Sequence, residues 1–134
     1  AFKALNDLPL AMTAHIVYAA FDSEPSTCSA RMTRLIRDEI GFQGLLMSDD
    51  LNMQALSGTL GERAARAVAA GCDIALHCKG DLAEMQAVAA AAGQMGADAQ
   101  ARAAAALAAR CAPQEADLAA LQAEHDALLG QGHV

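Results

Sequence analysis

The ten residues Gly41-Phe42-Gln43-Gly44-Leu45-Leu46-Met47-Ser48-Asp49-Asp50 restrict the fold more than any other stretch of this 134-residue chain. Two glycines punctuate a turn, a short apolar run follows, and the run stops at two adjacent carboxylates. A run of this length between turn signals fits a buried strand better than a helix. Leu51 to Leu56, and then a long Ala/Arg/Glu segment, continue as helix. The order is therefore strand, acidic tip, helix. In parallel α/β folds the chemistry gathers at the carboxyl ends of strands, which makes Ser48-Asp49-Asp50 the first place to look for it.

The pattern recurs. Leu10–Val17 and Asp73–Cys78 read as further strands; 33 residues separate Met12 from Leu45, and 30 separate Leu45 from Ala75. A (β/α)₈ barrel uses about 31 residues per unit. Consecutive units of this length imply a parallel sheet, open or closed. Three strands alone leave unpaired edges, so the chain is expected to be part of something larger or to complete itself by association.

Helices are expected between and after the strands. Ser29 to Ile40 places Met32, Leu35, Ile36 and Ile40 on one face, and Gly41 stops it. Glu62 to Ala70 closes at Gly71, and Asp81-Leu-Ala-Glu84 has capping-box spacing for a helix to about Ala92. Two more helices, Asp98 to Arg110 and Glu115 to Leu129, flank Pro113.

Composition narrows the function classes. The net charge is −7 with scattered Lys and Arg, so the basic stripe of a nucleic-acid binder is missing. No apolar run is long enough to cross a membrane as a helix, and no signal-peptide pattern opens the sequence. Cys28, Cys72, Cys78 and Cys111 form no CxxC pair, which argues against both zinc and a disulfide framework. No glycine-rich phosphate loop is present.

Asp49 and Asp50 point to opposite sides of an extended chain, so they do not form a facing pair. One acts while the other caps or supports. On composition, capping of the following helix is the favoured role for both, because Asp is a preferred N-cap residue. His15 and His77 occupy equivalent places near the ends of the first and third strands and are candidates for touching a substrate. With Asp49 they also make a conceivable, minority metal site. His125 and His133 belong to the terminal helix and tail.

The stretch 41–50 resembles the nucleophile signature of glycoside hydrolase family 3, most closely its bacterial β-N-acetylhexosaminidases of peptidoglycan recycling. Ala11-Met-Thr-Ala-His-Ile-Val-Tyr18, Asp50-Leu-Asn-Met53 and Ala70-Gly-Cys-Asp-Ile-Ala-Leu-His-Cys78 follow in the same order. Together these pieces cover residues 2–90. The resemblance implies an α/β fold: the last three βα units, strands six to eight, of a (β/α)₈ barrel over residues 1–95, then a helical extension over residues 96–134 that packs on the barrel. It implies that Asp49 is the nucleophile of a retaining hydrolase that removes terminal β-linked N-acetylglucosamine, in anhydro-muropeptides, in the cytoplasm and without a cofactor or metal. Asp50 keeps its capping role. In such enzymes the acid/base histidine with its aspartate, and the groups that clasp the sugar, lie upstream of this sequence. The remaining strands are expected from the same longer chain or a partner chain, and the 134 residues alone are expected to be inactive. The competing reading is a catalytically incomplete α/β fragment that acts as an assembly or binding module.

Overall fold

In the computed structural model, which describes residues 1–130, the chain builds a small parallel sheet with helices after each of its strand segments. β1 (Leu10–Met12) pairs in parallel with β2 (Leu45–Met47), Leu10 opposite Leu45 and Met12 opposite Met47. The segment after Gly71 lies on the far side of β2, where Ile74 makes a single parallel bridge to Met47. β2 is central because Leu45 and Leu46 are both buried, on opposite faces of the strand. Crossovers this long between parallel neighbours are what the 30-residue spacing requires.

Both outer strands are shorter than the sequence predicts. Beyond Met12 only Thr13 N–H still reaches a β2 carbonyl, that of Met47 at 2.9 Å. The chain then turns away, since Ile16 C=O is taken by the amide and hydroxyl of Ser26 at 2.9 Å each. Leu10–Val17 is thus a strand for its first three residues only. On the other side Asp73–Cys78 is not a ladder strand. Leu76 N–H donates to Ser48 Oγ and Cys78 N–H to Asp50 Oδ1, so side chains at the tip of β2 replace the carbonyls of a regular ladder. Leu51 to Leu56 also departs from expectation, forming tight turns instead of a helix. Leu51 and Leu56 nonetheless bury completely, and this burial holds the turn against the body of the protein.

The helices follow their end signals closely. α1 (Ala30–Arg34) starts at Ser29, whose hydroxyl accepts from Met32 N–H, and widens into a π-helical stretch (Leu35–Ile40) that stops at Gly41, φ 81°. α2 (Leu60–Ala70) begins two residues before the predicted start. Thr59 and Glu62 form a reciprocal capping box there, and Gly71 closes the helix with φ 110°. α3 (Leu82–Ala92) is capped by Asp81 Oδ1, which accepts from Glu84 N–H. The predicted capping box is only half made: the Glu84 carboxylate turns instead to Lys79, Asn52 and His77. α4 is Ala97–Ala108, and α5 is Leu118–Gly130, with Asp117 Oδ1 accepting from Ala119 and Ala120 N–H.

The main core lies between the turn after β2, α2 and α3, with Leu51, Leu56, Ala64, Ala67, Cys72 and Val88 at its centre. Its small side chains let helices approach closely: Gly61 of α2 sits against Ala87 C=O and Ala91 of α3. Charge locks the elements together beneath the sheet. Asp73, its side chain 4% exposed, accepts from Arg37 Nη2 at 2.8 Å, from Arg102 Nη2 at 3.0 Å and from Leu46 N–H at 2.9 Å. One carboxylate thereby ties the π-helical segment, β2 and α4 to the third strand segment.

Two surfaces are apolar and open. The outer edge of β1 exposes Leu10 and Met12, and a groove of about 480 Å³ beside it is lined by Phe2, Tyr18, Phe21 and Phe42 among others. Every residue of α5 is exposed, including Leu118, Leu121, Leu128 and Leu129.

Candidate active site

The tip of β2 is built by hydrogen bonds that hold its two carboxylates differently. Ser48, fully buried, spends its hydroxyl as the acceptor for Leu76 N–H at 2.9 Å. Its amide donates to Ile74 C=O at 2.9 Å. Asp49 comes next and is half-buried; its Oδ1 accepts the N–H of Asp50 at 2.8 Å. Asp49 Oδ2 makes no hydrogen bond among the described residues. A carboxylate held by one oxygen, with the other free, can attack an electrophilic carbon. This feature alone does not separate Asp49 from Asp50, whose Oδ2 is also without a hydrogen bond among the described residues.

Asp50 accepts more hydrogen bonds than Asp49, all of them on its carbonyl and on one carboxylate oxygen. Its Oδ1 accepts from Asn52 N–H and from Cys78 N–H, both at 3.1 Å, and its carbonyl accepts from Met53 N–H at 3.1 Å and from His15 Nε2 at 2.9 Å. Asp50 therefore caps the turn after β2, and the following strand segment as well. It is structural support for its neighbour.

His15 is drawn in from the end of β1. A backbone carbonyl only accepts, so Nε2 carries the proton, and in the neutral ring Nδ1 must accept from Thr27 Oγ1 at 2.8 Å. Thr27 Oγ1 is in turn 2.8 Å from Thr13 Oγ1, and with its own proton given to the ring it accepts from Thr13. Thr13 and Thr27 are buried, so the relay Thr13 to Thr27 to His15 to Asp50 C=O runs through a dry part of the fold. Thr27 had no signal in the sequence: it lies in a single 3₁₀ turn (Ser26–Cys28) before α1, and its pairing with His15 is a tertiary event.

His77 goes elsewhere. Its side chain is 4% exposed, and its nearest polar partner is Glu84 Oε2, 3.5 Å from Nε2 and beyond hydrogen-bond length. It lines the cavity of about 710 Å³ between α3, α4 and the 72–77 segment, alongside Met85 and Val88. Both expected histidines are therefore near strand ends, and only His15 makes a direct hydrogen bond to the acidic tip. Among the described residues no three His, Cys, Asp or Glu side chains gather as a metal centre requires, and His15 commits both nitrogens to protein groups. The metal-assisted alternative has no ligand set in this part of the chain.

This geometry can be set beside known proteins. The chain matches the glycosyl hydrolase family 3 N terminal domain over residues 2–126. The chain belongs to that family. Within glycosyl hydrolase family 3, it is 40% identical over 85 residues to the beta-hexosaminidase of Bordetella pertussis, an alignment covering 60% of this chain and 24% of the relative. Among solved structures it is similar to native NagZ from Neisseria gonorrhoeae, with TM-score 0.53 and 33% identity over 65% of this chain and 24% of that one. It is also similar to a family 3 β-N-acetylglucosaminidase from a Paenibacillus species, with TM-score 0.63 and 25% identity over 85% of this chain and 25% of that one. The family 3 relatives are thus about four times longer than the part of them this chain matches.

Proposed function

We propose that this chain carries the nucleophile of a retaining β-N-acetylhexosaminidase, and that the nucleophile is Asp49. The observation that carries the reading is the free oxygen of Asp49 at the end of a buried parallel strand, in a chain similar to named beta-hexosaminidases. Attack of Asp49 on the anomeric carbon forms a glycosyl ester as the bond to the leaving oxygen breaks. That oxygen takes a proton from an acid outside these residues, and water then attacks the anomeric carbon and restores the carboxylate. The sugar leaves with its configuration retained. The substrate class is a terminal β-linked N-acetylglucosamine on anhydro-muropeptides, handled in the cytoplasm during peptidoglycan recycling.

In this reading residues 1–95 supply strands six to eight of a (β/α)₈ barrel, and residues 96–134 supply helices that pack on it. The bare edge of β1 is where the preceding strand would pair. In the full-length protein that contains this chain, Asp49→Ala is expected to lower kcat on an aryl β-N-acetylglucosaminide by 10⁴-fold or more, the scale at which loss of a nucleophile is felt. Near-native turnover by that variant would make the assignment wrong.

The exposed apolar groove beside β1 favours a second reading, an assembly module whose partner covers that groove. Donor labelling of the full-length protein, with sedimentation of the 134-residue chain beside it, distinguishes them. An Asp49 that no glycosyl donor labels in the full-length protein, together with a stable complex of this chain with an unrelated partner, would favour the module.

A further inference from the structure

We propose that His15 is a positioning residue that selects which oxygen of Asp49 attacks, by fixing Asp50 through its carbonyl. The inference rests on Asp49 being the nucleophile.

Four groups pin Asp50. His15 Nε2 holds its carbonyl from the β1 side at 2.9 Å, and Met53 N–H holds the same carbonyl from the following turn at 3.1 Å. Cys78 N–H holds its carboxylate from the third strand segment at 3.1 Å, and Asn52 N–H holds the same carboxylate oxygen from the turn. The amide of a residue held this way has one direction, and here that direction is Asp49 Oδ1, at 2.8 Å. An oxygen that accepts a backbone N–H is the poorer electron donor, and its position is fixed. Oδ2, without a partner among the described residues, is then the oxygen that bonds to carbon.

The anchor is specific to an imidazole in one tautomer. His15 must donate at Nε2 and accept at Nδ1, and the buried Thr13 and Thr27 hydroxyls supply the donor that enforces this. The ring does not need to touch the sugar: both nitrogens are spent on the protein. A residue placed as a candidate sugar contact by its position in sequence becomes the peg on which the nucleophile's neighbour hangs.

The test uses the full-length protein and a fluorinated N-acetylglucosamine donor that accumulates the glycosyl ester. His15→Gln keeps a donor near the Nε2 position, whereas His15→Asn reaches only the Nδ1 position and leaves Asp50 C=O tied only to Met53 N–H of its own turn, without the anchor from the β1 side. Misplacement of a reacting group by about 1 Å costs on the order of 100-fold. His15→Asn is expected to slow labelling of Asp49 and kcat together by 10- to 100-fold, with KM within about twofold because the sugar is not contacted. His15→Gln is expected to recover most of that loss. Thr27→Val, nearly isosteric, removes the donor that sets the tautomer. It is expected to slow labelling in the same direction and covers the case of a His15→Asn that fails to fold. Wild-type labelling rates in the folded Asn and Val variants would overturn the proposal, as would a loss confined to KM. If the wild-type adduct maps to a residue other than Asp49, the functional reading itself falls; an adduct on Asp49 that is insensitive to His15 sinks only this inference.

Discussion

Asp49 and Asp50 are chemically identical neighbours with different fates, and the difference comes entirely from what each accepts. Asp50 takes amides from two separate segments on one carboxylate oxygen and two further donors on its carbonyl, while Asp49 takes a single N–H; each keeps its Oδ2 without a hydrogen bond among the described residues. Adjacency along an extended chain already excludes a facing pair. What pins Asp50 more firmly than Asp49 comes from Cys78 N–H and His15, groups 28 and 35 residues away in sequence. The thiols divide just as clearly. Cys72 is buried and its pKa is pushed up to about 11, chiefly by that burial, while Cys28 is pushed up for the same reason. Cys78 is exposed, and its thiol is also held up, by desolvation first and then by the Asp50 charge. Thiolate fraction and access both govern alkylation. At pH 8, iodoacetamide is therefore expected to modify exposed Cys111 first, Cys78 more slowly and Cys72 last, read by peptide mass mapping. Labelling of Cys72 as fast as Cys111 would contradict the packing around α2.

At the scale of elements, the parts legible in sequence are those set by local chemistry. The apolar run Leu45–Met47 reads as a strand because both its faces are buried, and Gly41 and Gly71 stop helices because each adopts a positive φ. The start of α2 is legible too, since Thr59 and Glu62 have capping-box spacing, although the Ala/Arg/Glu pattern alone begins the helix at Glu62. Thr59→Ala is expected to cost about 1 kcal/mol of stability, as measured by denaturant midpoint. Glu62 accepts from Thr59 N–H at 2.7 Å and from the Thr59 hydroxyl, which lowers its carboxyl below the usual value of 4.5. A lowered carboxyl adds stability above that value and loses it as the pH falls through the folded-state pKa. The melting-temperature gap between wild type and Glu62→Gln should accordingly be present at pH 7 and close in acid below about 4.5; a gap independent of pH would speak against the cap. What sequence did not disclose is the cross-element network. Arg37, Asp73 and Arg102 follow no periodicity, and their meeting depends on the finished fold. Asp73→Ala leaves Arg37, Arg102 and the Leu46 amide without their shared acceptor and is expected to cost roughly 3–5 kcal/mol. A loss under about 1 kcal/mol, the range of exposed pairs, would show that the network is solvated.

For the whole molecule, the sheet is the feature that decides. The 30-residue spacing of strand segments predicted parallel order, and β1, β2 and the Ile74 bridge have it. The lengths of the outer strands were not readable, because they end where side chains such as Ser26, Ser48 and Asp50 take over the backbone groups. Gly44 shows how tightly the β1 edge is joined: a Cβ there would stand 2.6 Å from Leu8 C=O and 2.8 Å from Pro9 C=O. Gly44→Ala is expected to destabilise by about 1–3 kcal/mol or more, the range of overpacked sites. The exposed edge, and a proposed nucleophile whose acid lies outside these residues, lead to the same expectation for the 134 residues by themselves, namely no measurable turnover. The central claim is that Asp49 forms the covalent bond. It is tested most directly by incubating the full-length protein with the fluorinated donor and mapping the adduct by peptide mass spectrometry. One sugar on the peptide that contains Asp49, absent in Asp49→Ala, is the result predicted here; a sugar on any other residue, or turnover with inverted configuration and no adduct, would contradict it.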